Sequence, residues 1–597
     1  MSEGKDEKLA RPALESASEK EEHTHEGGEL QTRTHEYSTE QLENGGEPLE
    51  SHLADQSGEL IGEEEPFRLT TRVFLAYICL CLLIFVASLD DYIFAASLPT
   101  ISSVFNAASK IGTLGTANFL VQTASQPLYA KLSDKAGRKE TLMLSLLFFI
   151  IGTAISGKSE NMDMLIVGRC ITALGNTGID VNVLVIISDI FPLLHRGKWL
   201  SYFETIYVIT VGIGPVIGGS LVEKGEWRWC FYLQLPICVL ILIAVYFLIE
   251  NRKRKTRTQL KDLLNIDWAG NLVLLISTIC LLLGLNWGGQ GLPWSSPTII
   301  ALLVVGIVLA AVFVLIEHKF AKDPTVPMRL LKIRNVASGY ATIFLFAFTS
   351  MGLFYFLPMY FQIAKSYSAT VAGIQQLAYN AAAVLSSILG GIAVAATHEY
   401  RLYVHVGLAI YAVGMGLTIL MNQNSHAAEI VAYQAIIGFG GGFCTCALLV
   451  GIQAAVYQED IAIITTLFSF FKSIGSTLGT SIFSAIWLAT VRNSILSSVP
   501  AGTPEDLVEK AQNSVQYILN LPPDLKPIVV QAYVNAMRIL AILATVGAGL
   551  VFLACLPLQR YRLKESIGGA PEKLDSEEGH SEWSLIRRLF RIKNNVH

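Results

Sequence analysis

Residues 130–139 read AKLSDKAGRK and place five charged side chains inside an otherwise apolar region of the chain. Gly137 stands among the charges, where a tight turn is easily accommodated. Long apolar segments flank this patch on both sides, so the pattern predicts a short polar loop between two membrane-spanning helices. The charged positions are Lys131, Asp134, Lys135, Arg138 and Lys139.

The composition excludes an ordinary soluble enzyme. Hydrophobic residues make up 52% of the 597 residues and charged residues 16%, whereas soluble proteins carry roughly 25% charged residues. The net charge of -5 hides an asymmetry, because 19 acidic and five basic residues lie within residues 1–66. Residues 1–68 are predicted to form a disordered, acidic cytosolic tail, since they contain too few large apolar side chains to offset the entropy lost on ordering.

Apolar segments long enough to cross a bilayer recur along the chain, and a helix needs about 20 residues to do so. We count about fourteen. Helices are favoured because lipid offers no hydrogen-bond partner to an unpaired backbone group. The predicted spans are 73–99, 110–130, 140–157, 164–190, 200–222, 230–249, 268–287, 298–317, 336–361, 370–396, 402–421, 430–454, 462–489 and 536–557.

Lys and Arg concentrate about threefold in alternate loops, which predicts that those loops and both termini lie in the cytosol. The 130–139 patch is therefore cytosolic. A longer loop at 490–535 is predicted on the opposite side, and residues 559–597 form a second cytosolic tail.

Several features recur about 260 residues apart. RCITALGNTG at 169–178 recurs as QAIIGFGGG at 434–442. Duplicated helical bundles are common in transporters. These recurring features predict one six-helix bundle at 69–250 and another at 336–558, with basic linkers and an inserted helix pair at 251–335.

The opening patch resembles the loop between spans two and three of the major facilitator superfamily, whose pattern is Gly-x-Leu-x-Asp-(Arg/Lys)-x-Gly-(Arg/Lys)-(Arg/Lys). Ala130 replaces the usual glycine, and the later positions match. The resemblance implies a conformational latch, in which a carboxylate and a guanidinium bridge helix ends in one conformation and separate in another. The latch positions are Asp134, Gly137, Arg138 and Lys139.

Further motifs resemble the fourteen-helix drug:proton antiporter branch of that superfamily. They are SLDDYIFAASLPTI in span one, GRCITALGNTG in span four and VGIGPVIGGSL in span five, an antiporter motif that accompanies export. In EWRWCFYLQLP, Gln234 stands where Asn is common. The resemblance implies an all-α polytopic membrane protein of the major facilitator fold, with two six-helix bundles plus two inserted helices. The matching positions include Asp90, Arg169, Gly214, Pro215, Gly218 and Gly219.

Charged residues within the spans are candidates for proton coupling, because each costs at least about 2.5 kcal/mol to insert. They are Asp90, Asp91, Arg169, Asp180, Glu204 and Lys472, and the leading four are Asp90, Arg169, Asp180 and Glu204. We expect Asp90 to bind a proton and Arg169 in alternation, with Asp180 as a second protonatable or cation-attracting site. Arg169 and Asp180 are 11 residues apart and should share a helical face. The alternative for each acid is a purely structural role, as a partner in a hydrogen bond between helices. This alternative is strongest for Glu204, which lies closer to the cytosolic end of its span.

These features predict a proton-coupled antiporter of the plasma membrane that exports organic compounds such as drugs or toxins. Two alternatives stay open: a vacuolar importer of basic amino acids, and a non-transporting membrane sensor. The predicted partners are a small organic substrate, protons and the lipid bilayer, and we expect a monomer.

Other classes of function find no support in the sequence. It has no phosphate-binding loop, so the proton gradient is the expected energy source and no cofactor is predicted. The cysteines lack zinc-ligand spacing, so no metal site is predicted. The basic runs adjoin spans, so nucleic-acid binding is not expected. Outside the spans no nucleophile and base stand at a recognisable spacing, so enzymatic activity is not expected either.

Overall fold

The computed structural model describes residues 70–105, 111–249, 268–289, 293–319, 326–367, 369–498, 508, 511, 517–518, 520–563 and 573. Within these segments, fourteen helices of 15 residues or more follow one another, numbered α1 to α14 in chain order. They are α1 (Thr71–Val104), α2 (Ile111–Ala136), α3 (Arg138–Gly157), α4 (Met162–Ile190), α5 (Leu193–Glu223), α6 (Gln234–Leu248), α7 (Trp268–Gly289), α8 (Pro297–Lys319), α9 (Arg334–Phe354), α10 (Ala369–Thr397), α11 (Arg401–Leu417), α12 (Ala427–Gln453), α13 (Ile461–Ser498) and α14 (Lys526–Cys555).

The protein is a multi-pass membrane protein. Twelve helical segments of the described chain are long and apolar enough to cross a membrane, and each coincides with a predicted span. The predicted spans 110–130 and 268–287 fall on α2 and α7. Helix α2 carries charges near its end, and the apolar part of α7 is limited to Gly270–Leu285. The count of fourteen membrane spans therefore stays a prediction.

The 130–139 patch is not the loop that the sequence predicted. Helix α2 continues to Ala136 and α3 begins at Arg138, so Gly137 is the single residue between the two helices. Its φ of 114° lies in the left-handed region that glycine adopts readily. The prediction was wrong because consecutive charges suggested a loop, whereas here they lie on helices, in the last turns of α2 and the first turn of α3.

Two further boundaries differ from the prediction. The span predicted at 336–361 is broken after α9, and a short helix, Leu357–Ala364, follows with Pro358 in its first turn, where its missing N–H costs nothing. Helix α13 ends later in the sequence than predicted and α14 begins earlier, so the connection predicted at 490–535 is limited to residues 499–525. The predicted tail at 1–68 and most of 559–597 lie outside the described residues.

The helix contacts follow the predicted repeat. We call α1–α6 the N-terminal bundle and α9–α14 the C-terminal bundle. In the first, α3 packs on α4 and α1 on α5; in the second, α10 and α11 pack on α12, and α9 on α13. The bundles meet where α5 contacts α10 and where α2 contacts α13. The inserted helix α7 packs on α2 and on α13, so it touches both bundles.

Glycines allow the closest of these contacts. A Cβ added to Gly442 on α12 would lie 2.0 Å from the Ala383 carbonyl oxygen on α10, and one added to Gly438 would lie 2.2 Å from the Tyr379 carbonyl oxygen. Small residues let helix backbones approach closely within a membrane. The α10–α12 pair therefore depends on positions that carry no side chain.

Replacing Gly442 by alanine should destabilise the protein, because the added methyl group meets backbone that cannot move aside. Overpacking of this kind costs about 1–3 kcal/mol. The matched control is Gly549→Ala on α14, where an added Cβ meets no described atom within 4 Å. Thermal unfolding of the detergent-solubilised protein should show a lower Tm for Gly442→Ala only. Equal Tm values for the two variants would contradict this packing.

Candidate functional site

An ion-paired cluster lies inside the N-terminal bundle. Arg169 on α4 forms a salt bridge with Asp90 on α1, and both side chains are only 1% exposed. The other terminal nitrogen of Arg169, Nη2, contacts Asp91 Oδ1 at 3.0 Å. The structure therefore brings together the predicted pair and adds a second carboxylate from the next residue.

Neutral side chains complete the cluster. Asn176 Nδ2 donates to Asp91 Oδ2 at 2.9 Å, and Gln234 Nε2 donates to Asp90 Oδ1 at 3.1 Å. The guanidinium carbon of Arg169 lies 4.2 Å from the centroid of the Phe94 ring, a cation–π contact that stabilises a desolvated cation. The two carboxylates are thus held by donors from α4 and from α6.

The cluster holds one more carboxylate than cation. The Asp91 side chain is 36% exposed, whereas the Asp90 side chain is buried. Arg169 Nε, Asn176 Oδ1 and Gln234 Oε1 are buried without a hydrogen-bond partner in the described chain. The cluster can therefore accept a proton on one carboxylate and keep an ion pair on the other.

A second group of charges lies nearby. The Tyr207 hydroxyl on α5 donates to Asp180 Oδ1 at 3.2 Å. Asp180 also interacts electrostatically with Asp91, Glu204 and Lys472, of which Lys472 belongs to α13 in the C-terminal bundle. Asp91 thus connects the two groups, because it faces both Arg169 and Asp180.

Glu204 occupies a different position from the buried acids, because it is exposed. It lies three residues after Ser201, whose hydroxyl donates to the Ser387 carbonyl oxygen of α10 at 2.6 Å. Residues three apart on a helix lie on the same face. Glu204 therefore lies on the side of α5 that faces the C-terminal bundle.

The bundles are joined at the predicted cytosolic end. Arg196 at the start of α5 is 1% exposed, and its Nη1 donates to Gln453 Oε1 at the end of α12 over 2.8 Å. Gln453 Nε2 in turn donates to Ser188 Oγ of α4 at 3.2 Å. Close by, Cys446 Sγ donates to the Gly197 carbonyl oxygen at 3.1 Å. These contacts join the two bundles at the end that the sequence predicts to be cytosolic.

The predicted latch residues bridge helices of the N-terminal bundle. Arg138 Nη1 contacts Asp134 Oδ1 at 2.5 Å, and its Nε contacts Asp189 Oδ2, at the end of α4, at 3.1 Å. Lys139 Nζ donates to the Tyr246 carbonyl oxygen of α6 at 2.5 Å. The α2–α3 junction is thereby tied to α4 and α6. Release of these contacts in a second conformation stays a prediction.

The span-five glycines differ in their surroundings. A Cβ added to Gly214 would lie 2.4 Å from Tyr92 Cβ, so this position allows α5 to approach α1. Gly218 is buried. A Cβ added to Gly219 would meet no described atom within 4 Å, so close packing does not account for that glycine. Pro215 lies within α5 without ending it.

Sequence reasoning missed several of these residues. Asn176 follows Arg169 by seven residues, two helical turns, which could have placed it on the same face. Gln234 was noted only as a departure from the family's usual asparagine. No local signal pairs Arg196 with Gln453, because they are 257 residues apart.

Comparisons with known proteins agree with this architecture. A profile described as Major Facilitator Superfamily matches residues 80–480. The chain is 34% identical over 424 residues to "Efflux pump dotC" of Dothistroma septosporum, covering 71% of this chain and 72% of that protein. It is 32% identical over 517 residues to "MFS-type transporter gkaD" of Penicillium citrinum, covering 84% and 87%.

The fold has a counterpart among solved structures. A bacterial homologue of the human lysosomal transporter Spinster, in an inward-facing and unoccupied conformation, superposes with a TM-score of 0.50 at 14% identity, covering 84% of this chain and all of that one. At this identity the likeness concerns the fold alone.

Breaking the Arg196–Gln453 contact should open the cytosolic side. Gln453→Leu removes one hydrogen-bond acceptor of a buried guanidinium, and a hydrogen bond to a charged group contributes about 1.5–3 kcal/mol. In a background whose other eight cysteines are replaced, we expect faster maleimide labelling of Cys446 from the cytosolic side. The control is Gln531→Leu on α14, and unchanged labelling in Gln453→Leu would contradict the assignment.

Proposed function

The chain belongs to the major facilitator superfamily of membrane transporters, and we propose that it exports small organic compounds from the cytosol in exchange for protons. The observation that carries this proposal is the buried cluster in which Asp90 and Asp91 share the guanidinium of Arg169. Charges kept inside a membrane protein usually line a transport pathway or a proton relay. An excess carboxylate supplies the proton site that an antiporter needs.

The conformation suggests where the proton enters. Contacts between the bundles close the cytosolic end, while Asp91 remains partly exposed. In this state, a proton from the opposite side binds Asp91 and removes the excess negative charge. Arg169 then stays paired with Asp90, and the contact between Arg169 and Asp91 weakens because it has lost its ionic character.

The return half of the cycle uses the gate at the cytosolic end. Protonation favours a rearrangement of the bundles in which the contacts of Arg196 with Gln453 separate and the cluster opens to the cytosol. The compound enters from the cytosol, and Asp91 releases its proton there. Loss of the proton restores the contact between Asp91 and Arg169. The bundles then return to the first conformation, which releases the compound on the outer side.

The direction of transport is supported by the relatives. Two of them are described as efflux proteins by name, "Efflux pump dotC" and the "Aspyridones efflux protein" of Neocamarosporium betae, which is 30% identical over 500 residues. Export of organic compounds across the plasma membrane by a monomer is therefore our leading assignment. Import of basic amino acids into a vacuole is the competing reading, and accumulation of labelled arginine by isolated vacuoles distinguishes it.

Asp91→Asn should uncouple transport from the proton gradient. The amide can still accept a hydrogen bond from Arg169 but cannot exchange a proton. In proteoliposomes, uptake of tetraphenylphosphonium by this variant under an imposed pH gradient should fall to the level measured without the gradient. Asp90→Asn should also lose proton-driven transport, since it removes the buried half of the pair.

The matched control is Glu160→Gln, which neutralises an exposed acid in the turn between α3 and α4. It should transport like the wild type. Full proton-driven transport by both Asp90→Asn and Asp91→Asn would refute the coupling role of the cluster.

A further inference from the structure

We propose that the C-terminal bundle holds a neutral hydrogen-bonding subsite for the transported compound, formed by Gln434, Gln375 and Tyr379 and walled by Phe354. It rests on the export function proposed above and adds the chemistry of the cargo. The part of the compound that enters this subsite is uncharged, flat and apolar, and it carries hydroxyl and carbonyl groups.

Gln434 on α12 is the starting point. Its side chain is 1% exposed, and neither its Oε1 nor its Nε2 has a hydrogen-bond partner within the described chain. Leaving a buried amide unpaired is costly, so such a group in a native protein indicates a partner other than the chain itself. Gln434 therefore points to a bound molecule or to water that the molecule displaces.

The register of α10 against α12 places a second amide at the same level. Gly438 lies against Tyr379, and Gly442 lies against Ala383, so equal steps along the two helices keep them in contact. One turn before Gly438 is Gln434, and one turn before Tyr379 is Gln375. Gln375 Oε1 is also buried without a hydrogen-bond partner in the described residues.

Aromatic groups adjoin these amides. The rings of Tyr379 and Phe354 have centroids 4.2 Å apart. The Tyr379 hydroxyl makes no hydrogen bond to any residue that the structure describes. Gln376 Nε2 donates to the Phe354 carbonyl oxygen at 2.8 Å, which fixes α10 against the end of α9. A flat apolar framework can stack on such rings.

The subsite adjoins the interface between the bundles. Gln376 and Asn380 precede Ser387 by 11 and seven residues, so the three lie on nearly the same face of α10. The Ser387 carbonyl oxygen accepts from Ser201 of the N-terminal bundle. This face of α10, which adjoins the face with Gln375 and Tyr379, therefore points towards the N-terminal bundle and its ion-paired cluster.

The surroundings are neutral, in contrast to the other half of the molecule. Helix α10 contains no Asp, Glu, Lys or Arg, and α12 contains only Glu429, in its first turn. In the sequence repeat, Gln434 occupies the position that Arg169 occupies in the first bundle. An amide both donates and accepts hydrogen bonds, so it suits hydroxyl and carbonyl groups better than it suits a cation.

The test compares two probes and three variants in the full-length protein. The probes are 2-(hydroxymethyl)anthraquinone, which is flat, uncharged and carries both kinds of group, and tetraphenylphosphonium, a cation without hydrogen-bonding groups. The variants are Gln434→Leu, Tyr379→Phe and the control Gln531→Leu on α14. Binding to purified protein and transport into proteoliposomes are measured for each, with Tm as a readout of folding.

We expect Gln434→Leu to bind the anthraquinone about tenfold more weakly, the loss that corresponds to about 1.4 kcal/mol. Tyr379→Phe should weaken the same probe by several-fold, and Gln531→Leu should leave it unchanged. Binding of tetraphenylphosphonium should be unaffected throughout. Because the Gln434 amide lacks a partner among the residues that the structure describes, Gln434→Leu should keep or raise the Tm of the ligand-free protein.

Equal loss of both probes, loss of neither, or a lowered Tm in Gln434→Leu with unchanged binding would overturn the subsite. The conservative Tyr379→Phe keeps the test valid if Gln434→Leu does not fold. If the wild type transports neither probe, the export function fails instead. Binding measurements then test the subsite by themselves. Anthraquinone binding by the wild type that is lost in Gln434→Leu supports the subsite, and no binding by the wild type contradicts it.

Discussion

The sharing of one buried guanidinium between two carboxylates organises the N-terminal bundle. Arg169 could not remain at 1% exposure without anionic partners, because an isolated charge in a low-dielectric interior costs several kcal/mol. Asp90 supplies the buried counter-ion, while Asp91 is partly exposed and faces Asp180 as well. That division of roles gives one helix turn a fixed ion pair and an adjacent acid able to change its charge.

The two bundles share a fold but differ in chemistry. In the first, α1, α4 and α5 bring acids and a guanidinium together, whereas α10 in the second carries amides and one tyrosine without any charged residue. The bundles meet through α5 and α10, so a compound held between them contacts both kinds of surface. We therefore propose that ion coupling and recognition of the compound belong to different halves, which the Arg196–Gln453 contact joins.

Much of this architecture could be predicted from the sequence, because membrane helices reveal themselves by length and apolar composition. The pairing of Asp90 with Arg169 followed from the motifs around each residue. The patch at 130–139 was misjudged, since its charges lie on the adjoining ends of α2 and α3, which the Asp134–Arg138 ion pair bridges across Gly137. Contacts between distant residues, such as Ser201 with Ser387, depend on how whole bundles dock and leave no local pattern.

The central claim is that Asp91 exchanges a proton beside a permanent Asp90–Arg169 pair. Infrared difference spectroscopy of the purified protein between alkaline and acidic pH tests it without a transported compound. The account predicts that the protonated-carboxyl C=O bands of the wild type contain one component that is missing from Asp91→Asn, while the bands of the other acids are shared. Identical difference bands in the two proteins would contradict the account.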